Sequence, residues 1–322
     1  MDKTISELVR DIVPGPVLVD IGASGDPPEI WGRIAPQSVF VGFDPDLREM
    51  RETTGEGFAR SVIVNEAVVA DKGGGQAEFH FTKSPYCSST LPPDTEALSD
   101  YLFSDLFEVE YTKMVPAVTL AEVVARLSLP GIDWLKADTQ GTDLRIFTSL
   151  PEEIRSRVLA LDIEPGLIDA YRGEDLMVDS HRHLTGDGFW LSEMNVGRAV
   201  RARRTTIREL TPADPKVTLS TVQKAVRGSP AYCELRYLRT PAWLARSGAT
   251  RREYLLLGVF ALLDRKYAFV LDLCADYGNI FGEDAGSRRL RDAAIRNIKE
   301  GLRERRSISR KIRRLFIRKL DL

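Results

Sequence analysis

Five short runs of apolar residues, at positions 17–21, 39–43, 62–69, 132–137 and 157–163, recur along the first half of the chain with helix-periodic segments between them. Runs of that length bounded by turn residues predict buried strands, and strands alternating with helices predict βαβ units and a mostly parallel sheet with right-handed crossovers. Residues 76–82 follow another pattern, in which Ala77, Phe79 and Phe81 alternate with Glu78, His80 and Thr82. That alternation predicts a half-exposed antiparallel strand, entered through the turn Gly73-Gly74-Gly75. Two later strands, at 188–191 and 233–239, are expected to form an antiparallel edge. Beyond Pro241 the pattern is helical throughout, over 242–247, 252–263, 265–276 and from about 287 onward. The expected organisation is an α/β, doubly wound, Rossmann-like domain over 1–241 and a helical C-terminal extension over 242–322.

With 322 residues, 43% of them hydrophobic and 29% charged, the chain is long enough for one large α/β domain and an appended piece. A net charge of −2 gives the molecule as a whole no reason to bind nucleic acid specifically. Cys87, Cys233 and Cys274 are far apart and lack metal-ligand spacing, which points to a reducing compartment, the cytoplasm. No basic stretch followed by an apolar one opens the chain, so no secretory signal is expected. Asp264, Arg265 and Lys266 interrupt the most apolar segment, 254–274, and argue against a membrane span.

Three motifs follow apolar runs. Asp20-Ile21-Gly22-Ala23-Ser24-Gly25 has the strand-then-glycine context of a nucleotide-binding loop, whose glycines let the backbone approach a ligand and whose amides can hold a carboxylate. Asp44 ends the next strand, where an acid in dinucleotide folds accepts hydrogen bonds from ribose hydroxyls. Both features also suit NAD. The first loop, however, lacks a third glycine and continues into Asp26-Pro27-Pro28, and prolines remove amides that a pyrophosphate needs. The third motif, Asp138-Thr139-Gln140-Gly141-Thr142-Asp143, places an acid and a glycine turn at the carboxyl edge of the sheet, where open α/β folds bind ligands.

Together with Asn65-Glu66-Ala67, Cys87-Ser88-Ser89-Thr90-Leu91-Pro92-Pro93, Val118-Thr119-Leu120 and Gly188-Phe189-Trp190-Leu191, these motifs make residues 15–240 resemble the FkbM-like family of class I, S-adenosylmethionine-dependent O-methyltransferases. The resemblance implies S-adenosylmethionine as cofactor and a small-molecule or glycan acceptor, methylated on a hydroxyl of a sugar or polyhydroxylated natural product. It implies cofactor contacts from Asp20, Gly22, Ala23, Ser24, Gly25, Asp44, Glu66 and Ala67, and acceptor contacts from Tyr86, Ser88, Ser89 and Gln140. The chain departs from the family at Asp26-Pro27-Pro28-Glu29-Ile30-Trp31 and at Gln140 with Asp143, which leaves the acceptor open. A silent Rossmann-like binding module is the alternative.

Methyl transfer needs alignment and a base. Asp138 is the first candidate, with capping of the helix after Thr142 as the plain alternative. Of Asp162 and Glu164, one is expected to face the cleft, and Glu164 lies nearer the strand tip. His181 is a further candidate base on the helix expected over 176–185, where its neighbour His183 points elsewhere. A divalent cation on Asp138, Glu164 and a histidine stays open without being favoured. From Arg303 to Leu322, nine basic residues stand against two acidic ones, with Ile308, Ile312, Leu315, Phe316 and Leu320 at helical spacing. Such a basic amphipathic helix can dock on its own protein, form a homodimer contact, or make a peripheral contact with an anionic membrane.

Overall fold

The structure, a computed structural model, describes residues 2–23, 26–46, 48, 55–71, 75–208 and 218–320, without the side chains of 2–4, 219 and 305–320. Ser24, Gly25, Gly73, Gly74 and the side chains of the basic tail beyond Glu304 lie outside the described residues. Among the described residues, ten strands form two sheets: β1 (Val17–Ile21), β2 (Val39–Phe43), β3 (Arg60–Val64), β4 (Ala67–Val68), β5 (Gly75–Thr82), β6 (Val109–Val118), β7 (Trp134–Ala137), β8 (Ala160–Ile163), β9 (Phe189–Ala199) and β10 (Ser229–Arg239). The larger sheet has the order β3-β2-β1-β7-β8-β10-β9. Its first five strands are parallel, and β10 and β9 add an antiparallel edge. The architecture is thus α/β and Rossmann-like, as the apolar runs predict.

The chain leaves β1 toward β2 and β3, then returns to place β7 on the other side of β1. Between β1 and β7 the strand order reverses, and the carboxyl ends of the strands open a crevice there. One face of the sheet is apolar: Val17, Val19, Ile21, Val41, Phe43, Leu135, Ala137, Leu161 and Ile163 pack with Val123, Ile146, Phe147 and Leu184 of the covering helices. The opposite face is apolar only at its start, where Trp31 meets Trp134 and Phe40 edge-on at 5.9 and 6.3 Å.

Three expectations are corrected. The run 62–69 is two strands in different sheets, because the chain turns at Asn65-Glu66 and pairs Ala67 and Val68 with β6. Strand β5 is antiparallel to β6, but only its first half is exposed. From Phe79 to Thr82 both faces are buried, since the following segment folds back and pairs Ser89 with His80. His80 is therefore buried and bonded to Thr112, not on a solvated face.

By internal contacts the chain divides into a unit Pro14–Trp243 and a second made of Met1–Val13 with Leu244–Leu322. The N-terminal helix Asp2–Arg10 groups with the C-terminal helices, where a division at 241 assigns it to the sheet domain. Its Ile5, Leu8 and Val9 are buried, and it contacts helices Arg251–Leu263 and Ala285–Leu320. The second unit is helical, and Gly258 fits against Leu290, whose side chain a Cβ would meet at 2.8 Å. No helix among the described residues is long and apolar enough to cross a membrane.

Arg239, at the end of β10, is fully buried between the rings of Phe189 and Trp243, at 3.7 and 4.2 Å. Its guanidinium donates to the carbonyls of Val158 and Arg155, each at 2.9 Å, and to Asp187. Arg239→Met would orphan these buried acceptors, so a loss of about 3–5 kcal/mol in urea unfolding is expected. A loss below about 1 kcal/mol would show that water satisfies them.

Candidate active site at the carboxyl edge

Gly22, at φ +82°, turns the chain out of β1. A Cβ there would meet the backbone oxygen of Asp138 at 2.3 Å, so only glycine lets the turn after β1 approach the turn after β7. The amides of Gly22 and Ala23 both donate to the carbonyl of Phe43, at 2.9 and 3.0 Å. These two amides are taken up by the fold and do not serve as free donors to a ligand. Ala23 is buried and packs beneath Gly42, away from the cavities described below.

The turn after β7 is held by Asp143, itself 2% exposed. One carboxylate oxygen accepts from the amide of Thr139 at 2.9 Å, the other from the amide of Glu164 at 2.8 Å. Asp143 therefore ties the end of β7 to the end of β8; burial pushes its carboxyl up to about 6. Gln140 takes a left-handed backbone conformation, φ +58°, and donates from Nε2 to Asp138 Oδ1 at 2.6 Å. Its Oε1 lies 2.9 Å from the hydroxyl of Tyr171, which also reaches the carbonyl of Cys87 at 2.8 Å. The chain Tyr171–Gln140–Asp138 thus orients the Asp138 carboxylate. Capping is not its role: the helix Asp143–Ser149 has Thr142 at its cap position, with no side-chain bond.

Three cavities meet at this edge. The first, about 70 Å³, brings together Gly22, Asp44, Glu66, Ala67, Tyr86, Ser88, Asp138 and Gln140, eight of the residues expected for cofactor, base and acceptor. The second, about 630 Å³, shares Tyr86 and Gln140 with the first and adds Glu164, Tyr171, Arg198 and Tyr232. The third, about 380 Å³, shares Gly22 and Asp138 with the first and Glu164 with the second.

Asp44 is 7% exposed, and its Oδ1 accepts from the amide of Asp46 at 2.8 Å. Burial pushes its carboxyl up to about 7. Burial, reinforced by Asp138 and Glu234, pushes the carboxyl of Glu164 well above its ordinary value. Asp162 and Glu164 share one face and both line the third cavity, contrary to the expectation that only one faces the cleft. Strand residues two apart point the same way.

Further corrections concern individual side chains. Asp20 faces the third cavity, not the one with Asp44, and accepts from Lys136 Nζ at 2.8 Å. Ser89 lines none of the three; its hydroxyl donates to the carbonyls of Thr139 and Gln140 at 3.2 and 2.8 Å and so supports the turn. Ser88 does line the first cavity, with its hydroxyl accepting from the amide of Thr82 and from Arg48. Glu66 lines it as well, paired with Arg126 at 2.8 Å. His181 lies outside the site: its Nδ1 is 3.0 Å from the hydroxyl of Tyr237. Among the described residues no group of three or more histidine, cysteine or acidic side chains is placed to hold a metal ion.

Lys136, Tyr171 and Arg198 belong to the site without having been expected there. Only Lys136 carries a signal, a cation inside the apolar run 132–137, whose one other charge is Asp133 at its start. It sits in a row of residues adjacent across five strands, Asp20, Lys136, Asp162, Arg236 and Glu193, acid alternating with base. Arg236 pairs with Asp162 in a two-pronged contact at 2.8 and 2.9 Å. Burial opposes the charge on Lys136, but Asp20, Asp138 and Asp162 outweigh it and hold the ammonium above its ordinary value. Seven of the described residues lining the third cavity are acids and two are basic, and both basic ones are paired within the row. The crevice is strongly acidic.

No model of a known protein family matches the chain, and no curated protein is similar to it.

Lys136→Met would leave Asp20, 2% exposed, without its partner. A loss of about 3–5 kcal/mol in urea unfolding near pH 7.5 is expected. The loss should shrink toward about pH 5: a carboxyl whose folded pKa lies above its unfolded value gains protons on folding, so acid favours the folded state. A penalty independent of pH would show that Asp20 is not the group left uncompensated.

Proposed function

We propose that this protein is an S-adenosylmethionine-dependent O-methyltransferase that methylates a hydroxyl of a sugar, glycan or related polyhydroxylated compound. The observation that carries the proposal is the acidic crevice joined through Gly22 and Asp138 to the cavity containing Asp44. A cofactor bearing a sulfonium and an ammonium is attracted to such an edge, whereas a dinucleotide would bring two pyrophosphate charges against it. The resemblance to FkbM-like methyltransferases points the same way. The Asp44 cavity, at about 70 Å³, is far below the roughly 300–1,000 Å³ of small-molecule sites, so a cofactor must extend from it into the 380 Å³ crevice.

In this reading Asp44 accepts from the ribose hydroxyls, and the acids around Gly22 and Asp138 face the cationic end. Bound there, the cofactor would supply an electrophilic methyl group, with its sulfur as the leaving group when the acceptor oxygen bonds to the methyl carbon. Asp138, oriented by Gln140, accepts the proton that this oxygen loses. Glu164, whose burial favours the protonated carboxyl, acts as a hydrogen-bond donor to the acceptor instead of as a base. Tyr86 and Gln140 line both the first and the second cavity, so the acceptor enters from the 630 Å³ side.

Calorimetric titration tests the assignment: S-adenosylmethionine should bind and NAD should not. Binding should strengthen as pH rises through about 7, because the cofactor prefers ionised Asp44. Asp44→Asn should weaken it by about 1–3 kcal/mol and flatten that pH dependence. If neither compound binds, the silent binding module takes the place of the enzyme.

For the base, Asp138→Asn should lower turnover about a hundredfold on a hydroxylated glycoside found by screening, with the unfolding midpoint unchanged. Retained turnover with lowered stability would make Asp138 a purely structural residue.

A further inference from the structure

We infer that the acceptor carries an anionic group, a carboxylate or phosphate, on a ring compound that fills the 630 Å³ cavity, with Arg198 at the cavity wall receiving the anion. The inference rests on the methyltransferase reading, which makes this cavity the acceptor side. Its walls are largely aromatic and aliphatic, with Phe103, Phe107, Tyr171 and Tyr232 among them, and a volume of this size encloses a ligand of drug dimensions. A small free sugar would leave most of it unfilled.

Charge is distributed unequally around this cavity. Where it meets the cofactor crevice it is lined by Gln140 and Glu164, and burial favours the uncharged form of Glu164. Elsewhere the lining includes Glu174, whose carboxylate is taken up by the amides of Ala170 and Tyr171, and, at the end of β9 and just before β10, Arg198 to Val200 and Gly228. Arg198 is the one basic side chain among the described lining residues. Its Nη1 donates to the carbonyl of Gly228 at 3.0 Å, which fixes the guanidinium against the cavity wall and leaves further N–H donors for a ligand. The flanking sequence reinforces the sign: 198–208 holds five arginines and no acid, and 218–228 holds Lys224 and Arg227 and no acid. Asp100 pairs with Arg201 and Arg203, and Asp105 with Arg204, so part of that charge is balanced while Arg198 is directed to a carbonyl. A neutral acceptor makes no use of a guanidinium held in this way; an anionic one gains a charge-assisted hydrogen bond that also sets which hydroxyl reaches Asp138.

A matched set of probes tests the inference: para-nitrophenyl β-D-glucuronide, the neutral glucoside, and the phosphate ester of that glucoside, each titrated into the full-length protein at low salt. At least one of the two anionic compounds should bind about tenfold or more tightly than the neutral one, the worth of one charge-assisted hydrogen bond. Which of the two wins separates carboxylate from phosphate recognition. In Arg198→Gln, checked for an unchanged unfolding midpoint, the difference should collapse to within about twofold. Equal binding of all three compounds, a preference that survives Arg198→Gln, or no binding of any would each overturn the inference. S-adenosylmethionine titrated into the same sample reports separately on the methyltransferase reading: cofactor binding without the anion preference sinks this inference alone.

Discussion

The carboxyl edge of this sheet depends on Asp143. A carboxylate that is 2% exposed is costly unless its lone pairs are filled, and here they are filled by backbone amides from two different strand ends, Thr139 after β7 and Glu164 after β8. Those bonds fix where Asp138, Gln140 and Glu164 begin. A side chain that occupies a helix start in sequence thus sets the separation of two strand tips, and with it the geometry of everything that lines the crevice. Gly22 completes the constraint from the other side, since its missing Cβ is what allows the turn after β1 to lie against Asp138.

Next to that edge the sheet carries charge where its opposite face carries core. The row Asp20, Lys136, Asp162, Arg236, Glu193 places each cation between two acids on neighbouring strands. Paired in this way, the charges, of which Asp20 is buried, satisfy one another at short range, while the excess of acids leaves a negative field at the crevice. The row thus has two consequences, one for folding and one for ligand choice. It lets the strands tolerate polar residues on one face of the sheet, and on the proposed function it would set the sign of ligand favoured at the switch point between β1 and β7.

Much of this organisation is legible in the residues, and the failures are instructive. The apolar runs at 17–21 and 39–43 coincide with β1 and β2, and the two later runs contain β7 and β8, because burial on both faces demands continuous apolar sequence. The strand β6 is not legible: Val109-Glu110-Tyr111-Thr112-Lys113-Met114 is exposed and ends through Pro116, so neither alternation nor an apolar run marks it. Asp44, Asp138 and Gln140 are found at the cavity because strand-end position alone determines their place. The partners of Asp20 and His181, Lys136 and Tyr237, are not legible, because they become neighbours only through strand order and helix packing. Tyr171 and Arg198 come from segments without any motif, and long-range topology alone brings them to the site.

Charge conservation links these features on the proposed reaction. On that reading the acidic edge would hold a cation before transfer and a neutral thioether afterward, and so would be left one positive charge short. The proton taken from the acceptor hydroxyl would restore it if it stayed at this edge, and Asp138 is the acid that lines both the crevice and the Asp44 cavity and is oriented by the neutral side chain of Gln140. The net charge at the edge would then be the same before and after transfer. A base placed elsewhere, such as His181 against Tyr237, would remove the proton from the edge and leave the acids unbalanced, which is a physical reason for the carboxylate and not the imidazole to take that role.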